Sequence, residues 1–181
     1  MYQRDRDSEY EKKIVYLDQI MIKEIKADSN GKDLRIGIII SKFNKPITEN
    51  LLKGALKALE SCEVEEKNIE IFYVPGAFEI PIVLKSLCSK NAESKKFDGF
   101  ITLGCVIKGE TAHFEYICDS VSQSINRLSC EYLIPVGFCV LTCYTPLQAY
   151  ERSLIPPDAE NNKGFESALT VIEMINLLKN I

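Results

Sequence analysis

Four short apolar runs, each separated from the next by a segment of helical spacing, restrict this chain more than any other feature. Leu34–Ile40 (LRIGIII) is almost continuously apolar, as a strand buried on both faces must be. Ile69–Val74 closes on Pro75-Gly76, Gly99–Ile107 (GFITLGCVI) is a third run and Val136–Leu141 a fourth. Between the first two, Ile47, Leu51, Leu52, Ala55, Leu56 and Leu59 fall on one helix face, with Pro46 placed for a first turn. Phe78 through Leu87 can form a second helix. Phe114, Ile117, Cys118, Val121, Ile125 and Leu128 make a long amphipathic third. Pro146–Arg152 starts another, and Phe165, Ala168, Leu169, Ile172 and Ile175 mark the last. Strands alternating with helices imply parallel pairing through crossovers. The expectation is an α/β protein: a four-stranded parallel sheet in a three-layer α/β/α sandwich, flavodoxin-like in type.

Residues 1–33 lie outside this pattern. They carry 7 basic and 8 acidic side chains, which predicts a charged and partly disordered N-terminal extension ahead of a domain over 34–181. Apolar residues return at Ile14, Val15, Leu17, Ile20, Met21, Ile22 and Ile25, so part of the extension is expected to dock. With 181 residues, 46% of them hydrophobic, the chain suits one ordinary core. A net charge of −4 argues against a broadly basic, nucleic-acid-binding surface. No run is long enough to cross a bilayer and the N-terminus has no apolar signal core, so a cytoplasmic protein is expected.

Seven cysteines, at 62, 88, 105, 118, 130, 139 and 143, form no C-x-x-C pair. An intracellular-type chain of this length reads as holding reduced structural thiols. One histidine, distant from Cys139 and Cys143, is a poor zinc ligand set, so no metal is expected.

In such sheets ligands bind beyond the carboxyl ends of the strands. The segments there are Ser41-Lys-Phe-Asn44, Val74-Pro-Gly-Ala-Phe-Glu79, Lys108-Gly-Glu-Thr-Ala-His113 and Thr142-Cys-Tyr-Thr145. The third resembles a phosphate loop only superficially, because Glu110 stands where the lysine belongs. Two readings of its Gly109-Glu-Thr111 turn remain: backbone N–H groups at a helix start that hold a simple phosphate, or a helix capped by Thr111. His113, in the first helical turn, is a structural residue or a proton shuttle. The helix dipole disfavours its imidazolium and leaves a ring able to exchange a proton near neutral pH. Gly76 admits a close ligand, while Glu79 is a ligand-facing carboxylate or a favourable first-turn acid. Phe43 stacks on a planar ring or packs in the core. Arg152 and Lys163 flank a loop with Pro156-Pro157 as phosphate ligands or surface charges.

Taken in order, these segments resemble the lumazine synthase family. The series runs Ser41-Lys-Phe-Asn44 with Ile47-Thr48, Val74-Pro-Gly-Ala-Phe-Glu-Ile-Pro81, and Gly104-Cys-Val-Ile-Lys-Gly-Glu-Thr-Ala-His-Phe-Glu-Tyr116. Pro135-Val-Gly-Phe-Cys-Val-Leu-Thr142, Gln148-Ala-Tyr-Glu-Arg152, Asn162-Lys-Gly-Phe-Glu166 and Glu173-Met174 complete it. The resemblance implies condensation of 5-amino-6-(D-ribitylamino)uracil with 3,4-dihydroxy-2-butanone 4-phosphate to 6,7-dimethyl-8-ribityllumazine, without a cofactor. It implies that Phe43 stacks on the pyrimidine, that Ala77, Phe78 and Glu79 hold the ribityl chain, and that Cys105, Val106 and Ile107 line the ring through their backbone. Glu110, Thr111 and Arg152 would bind the phosphate and His113 would move protons. Phe138 would close the pocket from a neighbouring subunit, and Lys163 would approach a pyrimidine carbonyl.

Three departures stand out: Lys42 in place of a frequent arginine, Cys143-Tyr144 in place of a small polar pair, and a longer stretch from Arg152 to Asn162. Within the family, long connections there accompany pentamers and short ones a sixty-subunit shell, so a homopentamer with shared sites is expected. An archaeal-type riboflavin synthase and a non-catalytic flavin-binding or shell-forming protein are the competing readings. The intact Ala77-Phe-Glu79 and Gly109-Glu-Thr-Ala-His113 segments favour condensation over the first. The presence of both His113 and Arg152 weighs against the second.

Overall fold

All four apolar runs become strands of one parallel sheet. The computed structural model describes residues 24–181, and the apolar return from Ile14 to Ile22 falls outside them. Strands β1 (Ile36–Ser41), β2 (Ile69–Val74), β3 (Gly99–Ile107) and β4 (Val136–Cys143) stand in the order β2-β1-β3-β4. Ile36 is in register with both Ile69 and Gly99, and Leu103 with Cys139. Helices α1 (Lys45–Ser61), α2 (Ile80–Ser94), α3 (His113–Tyr132), α4 (Pro146–Glu151) and α5 (Lys163–Lys179) connect and cover them. This is the expected α/β/α sandwich of flavodoxin-like type.

The sheet separates two apolar clusters. On one side Leu51, Ala55 and Leu59 of α1 meet Ala168, Val171 and Ile172 of α5 over Ile38, Ile101 and Leu103. On the other Ile80 and Leu84 of α2 meet Val121, Ile125 and Leu128 of α3 over Ile39, Phe100 and Val140. The central strands β1 and β3 are the continuous apolar runs because both of their faces are covered. Burial of this apolar surface is the main stabilising contribution.

The joint between α1 and α5 rests on one residue type that carries no side chain and another that is fully satisfied. Gly164 brings α5 against the carbonyl of Leu51, where a Cβ would overlap backbone atoms. Asn162 is completely buried; its Oδ1 accepts from Gly164 N–H at 2.9 Å and Phe165 N–H at 3.3 Å, capping α5. Its Nδ2 donates to the carbonyls of Asn50 at 3.0 Å and Leu154 at 3.1 Å. The chain before β1 is tied to the same layer, since Asn176 Nδ2 donates to Asp28 Oδ1 at 2.8 Å and Gly31 N–H to the Cys62 carbonyl at 2.7 Å.

Helix ends run further than periodicity suggested. Helix α5 continues to Lys179, and α2 to Ser94 through buried Asn91, whose side chain donates to the Phe97 carbonyl and accepts from the Phe97 N–H. Strand β4 runs to Cys143, two residues beyond its apolar run, because Thr142 and Cys143 pair with Val106 and Ile107. All seven cysteines are free thiols; five are buried, Cys118 is half-buried and Cys130 is exposed.

Candidate functional site

The carboxyl ends of β1, β2 and β3 enclose a cavity of about 420 Å³. Its wall includes Phe43 after β1, Gly76-Ala-Phe-Glu79 after β2, Cys105-Val-Ile107 at the end of β3, and Gly109, Thr111, His113, Phe114 and Ile117 at the start of α3. The first three strand-end segments read from the sequence therefore meet in one place.

Local bonds hold these loops together. Lys42 N–H and Phe43 N–H donate to the carbonyls of Val74 and Pro75, at 2.8 and 3.1 Å, clamping the β1 loop to the β2 loop. Asn44 adopts a left-handed conformation with φ 56°, which asparagine tolerates better than most residues. That turn aims its Nδ2 at the Cys105 carbonyl, 2.9 Å away, and ties the same loop to β3. Phe43 is left 69% exposed, so packing in the core does not account for it. Sequence reading passed over Asn44 as a positioning residue; its place as the last residue before the α1 period was the available signal.

The turn after β2 is a short 3₁₀ segment, Ala77–Glu79. Glu79 Oε2 accepts from the Gly76 N–H at 2.8 Å, which fixes the carboxylate at the cavity wall in a capping role. A Cβ on Gly76 would meet only that carboxylate oxygen, at 3.0 Å. Phe78 is 56% exposed beside it.

Cys105 supplies shape rather than reactivity. Burial, with Cys143 nearby, pushes its thiol up to about 12, so it stays protonated at neutral pH. His113 begins α3 with an exposed side chain, and its N–H lies 3.5 Å from Thr111 Oγ1. Ala112, the cap residue of α3, has no side chain to satisfy the first N–H groups. Apart from that one long bond to Thr111, the helix start has no side-chain cap and keeps the positive end of its dipole, an arrangement suited to an anion. Glu110 and Thr111 are exposed there.

The remaining predicted residues lie elsewhere. Phe138, Arg152 and Lys163 line a second groove of about 520 Å³ along the free edge of β4 and the start of α5. Among the described residues, none lines both cavities. Arg152 and Lys163, at the two ends of one loop, are adjacent in space, since Lys163 N–H donates to the Arg152 carbonyl at 2.9 Å. An isolated antiparallel bridge between Ser153 and Asn162 pinches the intervening loop at its base. The Arg152 guanidinium reaches the Gln148 carbonyl at 3.0 Å, and the Lys163 ammonium pairs with Glu166. Among the described residues, no three His, Cys, Asp or Glu side chains group as a metal site, and no helix is long and apolar enough to cross a membrane.

A parallel α/β sandwich with a cavity at its carboxyl edge, walled by an exposed aromatic ring and a helix start, defines the class: a doubly wound α/β domain of flavodoxin-like type. The family is more specific. Residues 33–179 match the model of the 6,7-dimethyl-8-ribityllumazine synthase family, and the chain belongs to that family, whose place is in riboflavin biosynthesis.

Proposed function

We propose that the protein condenses 5-amino-6-(D-ribitylamino)uracil with 3,4-dihydroxy-2-butanone 4-phosphate, forming 6,7-dimethyl-8-ribityllumazine and releasing phosphate and water. The observation that carries this reading is the division of the expected site residues between two grooves that share no lining residue. A substrate pair held by both sets requires a second copy, whose β4 edge meets the cavity of the first.

In that assembly Phe43 stacks on the pyrimidine, and Phe138 of the adjoining copy closes over it. Ala77, Phe78 and Glu79 receive the ribityl chain, while the backbone of Cys105, Val106 and Ile107 lies along the ring edge. Lys163 approaches a pyrimidine carbonyl. The N–H groups about Glu110 and Thr111 hold the phosphate, with Arg152 as the fixed positive charge.

The uracil amine is the nucleophile, so the protein needs none of its own. It attacks the ketone and one water leaves to give an imine; phosphate is eliminated and the resulting enol tautomerises to a carbonyl, which the ribityl-bearing amine attacks, losing a second water as the ring closes. Each step is proton movement plus alignment, which a bound geometry and the His113 imidazole supply. The helix start stabilises the departing phosphate.

The kinetic test separates the two substrates. Arg152→Ala raises KM for the butanone phosphate about 10- to 100-fold, the range for losing a charge-assisted phosphate contact. KM for the uracil amine stays near wild type. Equal rises in both, or unchanged kinetics, would remove the assignment. For the assembly, we propose a pentamer: five chains of 20.5 kDa make a particle of about 100 kDa by light scattering. A megadalton particle would refute it.

A further inference from the structure

The start of α3 carries a charge pair that the proposed reaction does not use. Glu115 is the third residue of the helix, the position from which a glutamate ordinarily reaches back to the free N–H groups of the first turn. Here its Oε1 accepts from Lys108 Nζ at 2.6 Å, and its engagement with the turn is limited to its own N–H. Lys108 is well placed to do this. Its own N–H donates to the Cys143 carbonyl at 2.9 Å, continuing the β3–β4 ladder, and its ammonium lies 5.7 Å from the Tyr144 ring and 6.0 Å from the Phe114 ring. Those two rings are 6.0 Å apart, so the cation lies within reach of both of them.

The pairing is mutual. Lys108 holds the Glu115 carboxyl below its usual range, with a smaller contribution from the Glu115 backbone N–H, and Glu115 holds the Lys108 ammonium above its own. The nearest competitor for the carboxylate is the helix start itself, whose dipole and free donors attract any anion. Thr111 and His113, in the same turn, face the cavity.

We propose that Lys108 is a positioning residue that holds and neutralises the Glu115 carboxylate, keeping the start of α3 vacant for the phosphate of the substrate. Without the ammonium, a mobile negative charge within the first helical turn competes for the donors and repels the dianion. This inference rests on the functional reading above, and its test is separable from it.

The test uses the full-length protein and four variants: Lys108→Met, Glu115→Gln, the double variant, and Lys108→Arg. Inorganic phosphate is titrated by calorimetry, and KM for the butanone phosphate is measured in parallel. Lys108→Met weakens phosphate binding and raises that KM about fivefold, as expected for one added unit charge some ångströms from a dianion in a hydrated site. Glu115→Gln binds phosphate at least as well as wild type. The double variant recovers wild-type binding, and Lys108→Arg retains it. Added salt shrinks the Lys108→Met defect, since the repulsion is screened. Lys108→Gln replaces Lys108→Met should the latter not fold. Were Glu115→Gln as impaired as Lys108→Met, or the double variant no better, the pair would be only a tie between helix and sheet and the proposal would be overturned. Failure of the functional reading looks different: wild type then forms lumazine no faster than the spontaneous reaction, while the phosphate titrations still rank the variants.

Discussion

His113→Ala lowers kcat for lumazine formation about tenfold to a hundredfold and leaves both KM values near wild type. General acid–base catalysis by a positioned side chain is commonly worth a factor of about 100 or more. The lower range applies because the His113 side chain is exposed at the mouth of the cavity, so water can relay some protons in its absence. No other imidazole exists in the chain to substitute for it. A matching loss of substrate affinity would make His113 a binding residue; an unchanged kcat would remove it from the mechanism.

Gly164→Ala destabilises the protein by about 3 kcal/mol or more, seen as a fall in Tm of about 10 °C. The sign is the informative part. Alanine exceeds glycine in helix propensity by about 1 kcal/mol, so at a neutral helical position this change stabilises. At Gly164 the added Cβ would run into the carbonyl of Leu51, backbone that cannot turn aside as a side chain can. The shift also displaces Asn162, whose four bonds cap α5 and fasten it to α1 and to the loop after α4. Because Lys163 and Arg152 flank that joint, the same substitution weakens the β4-edge groove. Gly109→Ala is the control: its Cβ meets nothing within 4 Å, and Tm is unchanged.

Much of this architecture was legible because burial leaves a period in sequence. The continuous run of Ile36–Ile40 announces a strand covered on both faces, and the spacing of Leu51, Ala55 and Leu59 a helix covered on one. Legibility faded where polar groups, not apolar ones, carry the structure. The end of β4 at Thr142 and Cys143 depends on ladder partners that no periodicity reveals. Asn162 and Asn44 look alike in sequence, yet one is a buried four-bond joint and the other a left-handed turn aimed at Cys105. The Lys108–Glu115 pair was hidden for the same reason, since Lys108 follows a strand and Glu115 lies in the next helix, so no single period relates them.

The candidate site shows the same division. The cavity from Phe43 to His113 follows from the rule that ligands sit at strand carboxyl ends, and the motifs named its residues. What a sequence does not express is which residues share a cavity. Arg152 and Thr111 stand together in a resemblance-based scheme for phosphate binding, but they line separate grooves in one protomer. The N–H to carbonyl bond that sets Lys163 beside Arg152, and the bridge that closes the long loop between them, place both on the β4 edge.

The central claim is condensation in a site shared between copies, and lumazine formation tests it most directly. The purified protein is incubated with 5-amino-6-(D-ribitylamino)uracil and 3,4-dihydroxy-2-butanone 4-phosphate, and lumazine absorbance and released phosphate are followed together. The account predicts that both appear in equal amounts, faster than the spontaneous reaction and in proportion to protein. Lumazine formed only at the spontaneous rate, or phosphate released without lumazine, would contradict it.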